Sequence, residues 1–214
     1  MKKIYNNKFF NITTISIFII AFYSFIINFY FASFGVYPID TFLHYDSAYR
    51  ILNSELPVRD YWIVSGFMIE FIQSIFFKIF GVNWTVYIFH SSMINVIVSI
   101  LCYFFFLTLK IPLINSLIYA LSFSTLAYSV SGTPFVDHHA VFLLLISSFL
   151  MLKFFDQENN KINLFLILLL SFSSFLIKQV PAGYAFLFQG GLILFYIFKY
   201  KKLKLFKRIC LYFI

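Results

Sequence analysis

Charge is scarce in this sequence of 214 residues. Asp, Glu, Lys and Arg together make up 11%, against 62% hydrophobic residues and a mean hydropathy of +0.90. That balance excludes the soluble globular classes, because no soluble domain of this size buries so much with so little polar cover. Cysteine is scarcer still, at two. Cys102 lies inside a hydrophobic run and Cys210 near the end, so a structural disulfide is not expected and the compartment stays open. The roughly ten-residue alternating segments of an outer-membrane barrel are missing, as are internal repeats and low-complexity tracts. What remains is an all-α, polytopic transmembrane helical bundle. Aromatics reach 23%, mostly Phe; a codon bias that enriches Phe, Ile, Tyr, Asn and Lys together accounts for them without an aromatic binding surface.

A net charge of +8 invites a nucleic-acid reading until the basic residues are placed on the chain. Lys2, Lys3 and Lys8 precede an apolar run from about Phe9 to Phe34. It is too long for a signal-peptide core and no small-x-small site follows, so it reads as a retained first span. Candidate spans then fall at about 9–34, 84–109, 111–130, 139–155, 162–177 and 181–198. The apolar stretch 62–80 is ambiguous, because it carries Glu70, Gln73 and Lys78.

The positive-inside rule decides it. If 62–80 stays on one side, twelve of the sixteen basic residues become cytoplasmic, leaving Arg50, Arg59, Lys78 and Lys178 outside. If it crosses, the dense cluster 199–208 moves outside together with Lys110, Lys153 and Lys161. The first map is the better one. It gives six spans, a cytoplasmic N-terminus and 62–80 as an amphipathic helix on the outer membrane surface, with Tyr61 and Trp62 at the interface. Nucleic acid drops out as a partner. Asp156 and Glu158, with Gln157, Asn159 and Asn160, make a solvated cytoplasmic hairpin. The sequence ends at Arg208-Ile-Cys-Leu-Tyr-Phe-Ile214, a few residues into another apolar run. The expectation is therefore one membrane module, 1–214, truncated from a longer protein, since about 20 residues are needed to cross.

Most of the outward charge sits on a hydrophilic island between Gly35 and Gly81: Asp40, His44, Asp46, Arg50, Glu55, Arg59, Asp60 and Glu70. Charge near hydrocarbon is costly and is kept mainly where it is used, so the island is where chemistry or recognition is expected. Asp46-Ser-Ala-Tyr-Arg50 reads as a helix start, with Asp46 at the N-cap and paired to Arg50. Tyr49, Leu52 and Leu56 would form its apolar face and Pro57 its end. On spacing alone Asp46 is a capping residue; at headgroup depth it is also a carboxylate in reach of a lipid-linked substrate.

The run Asp46-Ser-Ala-Tyr-Arg-Ile-Leu-Asn-Ser-Glu-Leu-Pro-Val-Arg-Asp60-Tyr-Trp resembles the first outer loop of GT-C membrane glycosyltransferases. So does the stretch from Ser65-Gly66-Phe67 to Phe80-Gly81-Val82-Asn83-Trp84. The bacterial group related to protein mannosyltransferases and lipid A aminoarabinose transferases is the most similar, and the likeness covers about residues 9–200. It implies a GT-C-like bundle with two amphipathic juxtamembrane helices in an outer loop at 35–83. It implies a cell (inner) membrane enzyme that takes a sugar from a polyprenyl-phosphate carrier to a lipid, glycan or protein acceptor on the outer face. A carboxylate must then take the acceptor proton, and cations must hold the departing phosphate. The resemblance puts Asp46 in the role of base, with Asp40 second, and makes Asp60 a positioning residue.

Arg50, Arg59 and Lys178 are the phosphate candidates because they break the positive-inside trend. Lys178-Gln179 matches a Lys-Gln-like pair of the family; as a bare residue, Lys178 is equally a lysine snorkelling to the interface. Asp137 and His138 in the other outer loop are candidates for acceptor or sugar binding, with helix capping the plainer role for Asp137. Adjacent histidines on a helix point about 100° apart, so a metal shared by His138 and His139 would have to recruit Asp46 or His44; no cofactor is expected. His90, near Ser91, Ser92 and Asn95, reads as an interhelical hydrogen-bonding residue. The competing function is a non-catalytic polytopic protein of polysaccharide export or assembly. A flippase of that kind should line its spans with charge, and these span interiors are nearly free of it. A catalytically silent scaffold of the same fold is the third reading.

Overall fold

A computed structural model describes the backbone over residues 2–34, 38–156 and 161–202, and the side chains over 12–34, 39–155 and 162–202. The expected turn at Gly35–Tyr37, the hairpin at 157–160 with the Asp156 side chain, and Lys204, Lys207, Arg208 and Cys210 lie outside the described residues. Within them the chain is helical: α1 Lys2–Phe31, α2 Pro38–Leu52, α3 Met68–Phe80, α4 Trp84–Thr108, α5 Leu113–Leu126, α6 Val136–Asp156, α7 Lys161–Ile177 and α8 Gln179–Lys199.

Four helical segments are long and apolar enough to cross a membrane: Ile12–Phe31, Trp84–Thr108, Val136–Phe155 and Gln179–Lys199. The protein is therefore a multi-pass membrane protein. Two of the six expected spans fall short of that length. The segment 111–130 contains a helix of only 14 residues, about 21 Å at 1.5 Å per residue against a hydrocarbon core of about 30 Å. Pro112 starts that helix and Tyr128–Phe135 leaves helical geometry, with Gly132 at φ +69°. The 17 residues of α7 reach about 26 Å.

The chain divides into two compact units, Met1–Ile63 with Ile69–His138, and Val64–Met68 with His139–Ile214. In the first, α1, α4 and α5 pack on one another. Each turns a stripe made mostly of small or polar residues inward: Ser16, Ile20, Ser24 and Asn28 on α1 with Ala32 just past its end, Ser91, Ser92, Asn95 and Ser99 on α4, and Ser116, Ala120 and Ser124 on α5, all buried. In hydrocarbon the bilayer offers no hydrophobic drive between helices, so close approach and interhelical hydrogen bonds take its place. Asn95 Nδ2 donates to Ser24 O and Ser124 O at 3.0 Å each. Asn28 Nδ2 reaches Ser91 Oγ, Ser92 Oγ and Gly132 O at 3.0–3.1 Å. Gly132 has to be glycine: a Cβ there would stand 2.6 Å from Ala32 Cα.

The second unit repeats the device. Ser147, Ser148 and Ser171 meet Gln189, whose Oε1 accepts from Ser171 at 2.7 Å and whose Nε2 donates to Ser148 at 3.0 Å. An apolar cluster of Met151, Phe154, Leu164, Ile167, Ile193 and Ile197 packs beside it. Gly66 N donates to Ile177 O at 2.9 Å, and a Cβ at Gly66 would run into the backbone of Leu176.

Candidate functional site

The site is built on α2 and α3, the two short helices between the first and second membrane-length segments. Pro38 opens α2, where a missing N–H does no harm, and Asp40 sits in its first turn, where the helix dipole favours a carboxylate. Asp46 is consequently not an N-cap. It lies in the middle of a 15-residue helix, and the expected start at Asp46 is corrected by eight residues. The helix also ends at Leu52, five residues before Pro57, so Leu56 lies beyond it. Ser54 and Val58, at φ +70° and +71°, turn the chain instead.

The expected Asp46–Arg50 pair is present. Arg50 Nε donates to Asp46 Oδ2 at 2.7 Å and Nη1 to Glu55 Oε2 at 3.1 Å. The guanidinium lies 5.4 Å from the centre of the Tyr61 ring. Asp46 is 60% exposed. Asp40 is exposed too, but six positions along a helix turn it about 120° away from Asp46, so the two carboxylates do not share a face. Arg59 grips Asp60 through Nε and Nη2 at 2.8 and 2.7 Å, and Leu56 N donates to Asp60 Oδ2 at 2.7 Å. The Arg59 guanidinium, then the Leu56 N–H, hold the Asp60 carboxyl down at about 2. Asp60 therefore fastens its own turn. Both arginines are already matched by carboxylates, so a phosphate arriving here would have to compete for them.

Beneath this surface lies a second, buried layer that the sequence reading placed outward. His44 and Glu70 are not surface charges: they are 4% and 3% exposed, with His44 Nδ1 2.7 Å from Glu70 Oε1. An ionised carboxylate only accepts, so the imidazole donates through Nδ1. One turn further along α3, Gln73 Oε1 meets His90 Nδ1 at 2.8 Å, and Phe76 stacks on the His90 ring at 4.8 Å. His90 is the interhelical residue its neighbours implied. Thr41 and Tyr87 complete the layer: Tyr87 Oη donates to Thr41 O at 3.0 Å, and Tyr45 packs edge-on against Phe77 and Tyr87.

The signal for this layer was in the sequence. Glu70, Gln73, Ser74 and Phe77 share one face of α3 and are buried, while Phe71, Ile75, Ile79 and Phe80 are exposed. In a membrane protein the apolar side of an amphipathic helix can turn outward, and then its polar side turns in.

His138 and Asp137 begin α6. Asp137 is its second residue, half-buried, in the first turn where the helix dipole favours a carboxylate. His138 Nδ1 is 2.9 Å from Ser131 Oγ, and its ring lies against Tyr128 and Phe135. In the second unit, Lys178 forms a one-residue extended break between α7 and α8 (φ −149°, ψ 121°), and exposed Gln179 opens α8. Among the described residues, no group of three His, Cys, Asp or Glu side chains could hold a metal ion. No protein-family model, characterised protein or solved structure matches this chain.

Proposed function

We propose that this chain is the membrane module of a glycosyltransferase that moves a sugar, with inversion, from a polyprenyl-phosphate donor to an acceptor on the outer face of the cell membrane. The observation that carries the reading is Asp46: an exposed carboxylate, oriented by Arg50 at 2.7 Å, on a short helix between the first two membrane-length segments. In that role Asp46 takes the proton of the acceptor hydroxyl as it attacks the anomeric carbon. Arg50 and Arg59 exchange their carboxylate partners for the donor's phosphate as it leaves. Asp60 positions the loop, and Asp137 and His138 line the acceptor side. The 13-residue α3, about 20 Å long and too short to cross, lies along the outer leaflet with Phe71, Ile75, Ile79 and Phe80 in lipid.

A polysaccharide-export role gains nothing from the span interiors. Their buried polar groups are amides, hydroxyls and the imidazoles of His90 and His139, with no buried Asp, Glu, Lys or Arg among the described residues of the membrane-length segments. The test uses the full-length protein in vesicles and follows transfer of labelled sugar from a polyprenyl-phosphate donor. Transfer by the wild type that Asp46→Asn abolishes and Asp40→Asn spares is the expected result. The reverse pattern moves the base to Asp40, and activity in both variants sinks the mechanism.

A further inference from the structure

The buried layer leaves two polar atoms over. Glu70 uses Oε1 on His44, and its Oε2 is enclosed with no hydrogen-bond partner. Gln73 uses Oε1 on His90, and its Nε2 is likewise enclosed and unpartnered. The two residues are 3% and 1% exposed. They stand three positions apart on one face of α3, which brings their Cβ atoms within about 5–6 Å. A buried polar atom without a partner is costly, by about 1–3 kcal/mol, and two such atoms on residues one helical turn apart invite a common answer. One is an acceptor carrying negative charge and the other a pure donor. A cation would be met by the Gln73 amide hydrogens and an anion by the Glu70 carboxylate, so neither ion suits both. A hydroxyl does.

We propose that Glu70 and Gln73 form a binding site for a single hydroxyl group, which donates to Glu70 Oε2 and accepts from Gln73 Nε2. His44 and His90 fix the two side chains from α2 and α4, so the site is preorganised. Its neighbour on the loop side is Tyr61. Desolvation and then the Glu70 charge push that phenol up to about 12, and the Arg50 guanidinium lies over the same ring. Tyr61 thus links the buried pair to the Asp46–Arg50 surface. The hydroxyl belongs either to an internal water, which needs 2–4 such partners, or to a substrate sugar; the second source rests on the transferase reading above.

The experiment follows thermal unfolding of the full-length protein in detergent during titration with methyl glycosides of common hexoses and pentoses and their monodeoxy derivatives. For a substrate hydroxyl, one glycoside raises the melting temperature and a single monodeoxy derivative of it does not. Gln73→Met, of similar volume but without a donor, then weakens the apparent affinity roughly tenfold. Should that variant fail to fold, the monodeoxy series on the wild type decides alone. If no glycoside shifts the melt, or the shift survives Gln73→Met, a structure resolving waters is decisive. A water bonded to both Oε2 and Nε2 assigns the hydroxyl to solvent, and a dry contact between those atoms overturns the site. None of these readouts needs transfer, so an inactive Asp46 variant, or a protein with no transferase activity, leaves the result intact.

Discussion

The two faces of α2 carry the same kinds of residue to opposite ends. On the exposed face, Asp46 and Arg50 pair at 2.7 Å with side chains 60% and 41% exposed. On the buried face, two residues before Asp46, His44 pairs with Glu70 at the same distance with both side chains at 5% or less. Water screens the first pair, which is worth about 0–1 kcal/mol. The second is enclosed, so each partner takes over much of the solvation that bulk water gives the first. Identical distances therefore mean different things. The exposed pair is free to be rearranged by a substrate, and the buried pair is part of what holds α2 against α3.

The largest effect should come from breaking the buried face. His44→Leu leaves Glu70 with neither oxygen bonded inside the protein and should cost about 3–5 kcal/mol, read as a lowered unfolding midpoint in detergent. The double change His44→Leu with Glu70→Met should recover most of it, because replacing both partners is far milder than stranding one buried carboxyl group. Arg50→Met should move the midpoint by less than about 1 kcal/mol. Equal losses for His44→Leu and Arg50→Met would erase the distinction.

Next in size is the helix contact that supports this face from below. Gly132→Ala meets the Ala32 backbone at 2.6 Å, in a left-handed conformation, while Gly132 O serves Asn28 and Ser91. A loss of more than about 1 kcal/mol is expected. Gly190→Ala, in open space within α8, should be neutral or stabilising by up to about 1 kcal/mol.

The smallest effect belongs to the exposed loop and appears only in acid. Folding lowers the Asp60 carboxyl from its usual 3.8 to about 2. The stability this brings is present above about pH 4 and is lost as pH falls through about 2. Asp60→Asn should flatten the acid limb of the unfolding curve in that window. A limb as steep as the wild type's would show that Asp60 keeps an ordinary pKa.

The all-helical membrane class was legible because composition reports directly on the bilayer, whereas only four of the six expected spans are long enough to cross. Asp46–Arg50 was legible because four positions on a helix determine a contact. Helix ends were harder. Asp46 looked like a cap because Asp-Ser is common there, but Pro38 starts the helix first and Asp46 is carried into its middle. The 111–130 run carries no charged residue, yet Pro112 and the turn after Leu126 left only 14 residues helical. The orientation of α3 was missed for a different reason. Its period gave two faces, but the sequence could not say that the apolar one faced outward until α2 and α4 were seen to supply His44 and His90 to the polar one.

The central claim is that the exposed face of α2 does chemistry while the buried face holds the fold, and Asp46→Asn tests it most directly when transfer rate and melting temperature are measured on the same preparation. The account predicts a melting temperature close to the wild type's with a rate lowered by about 10²–10⁴, the usual worth of a general base. A rate near the wild type's, or a rate that falls only in step with the melting temperature, would contradict it.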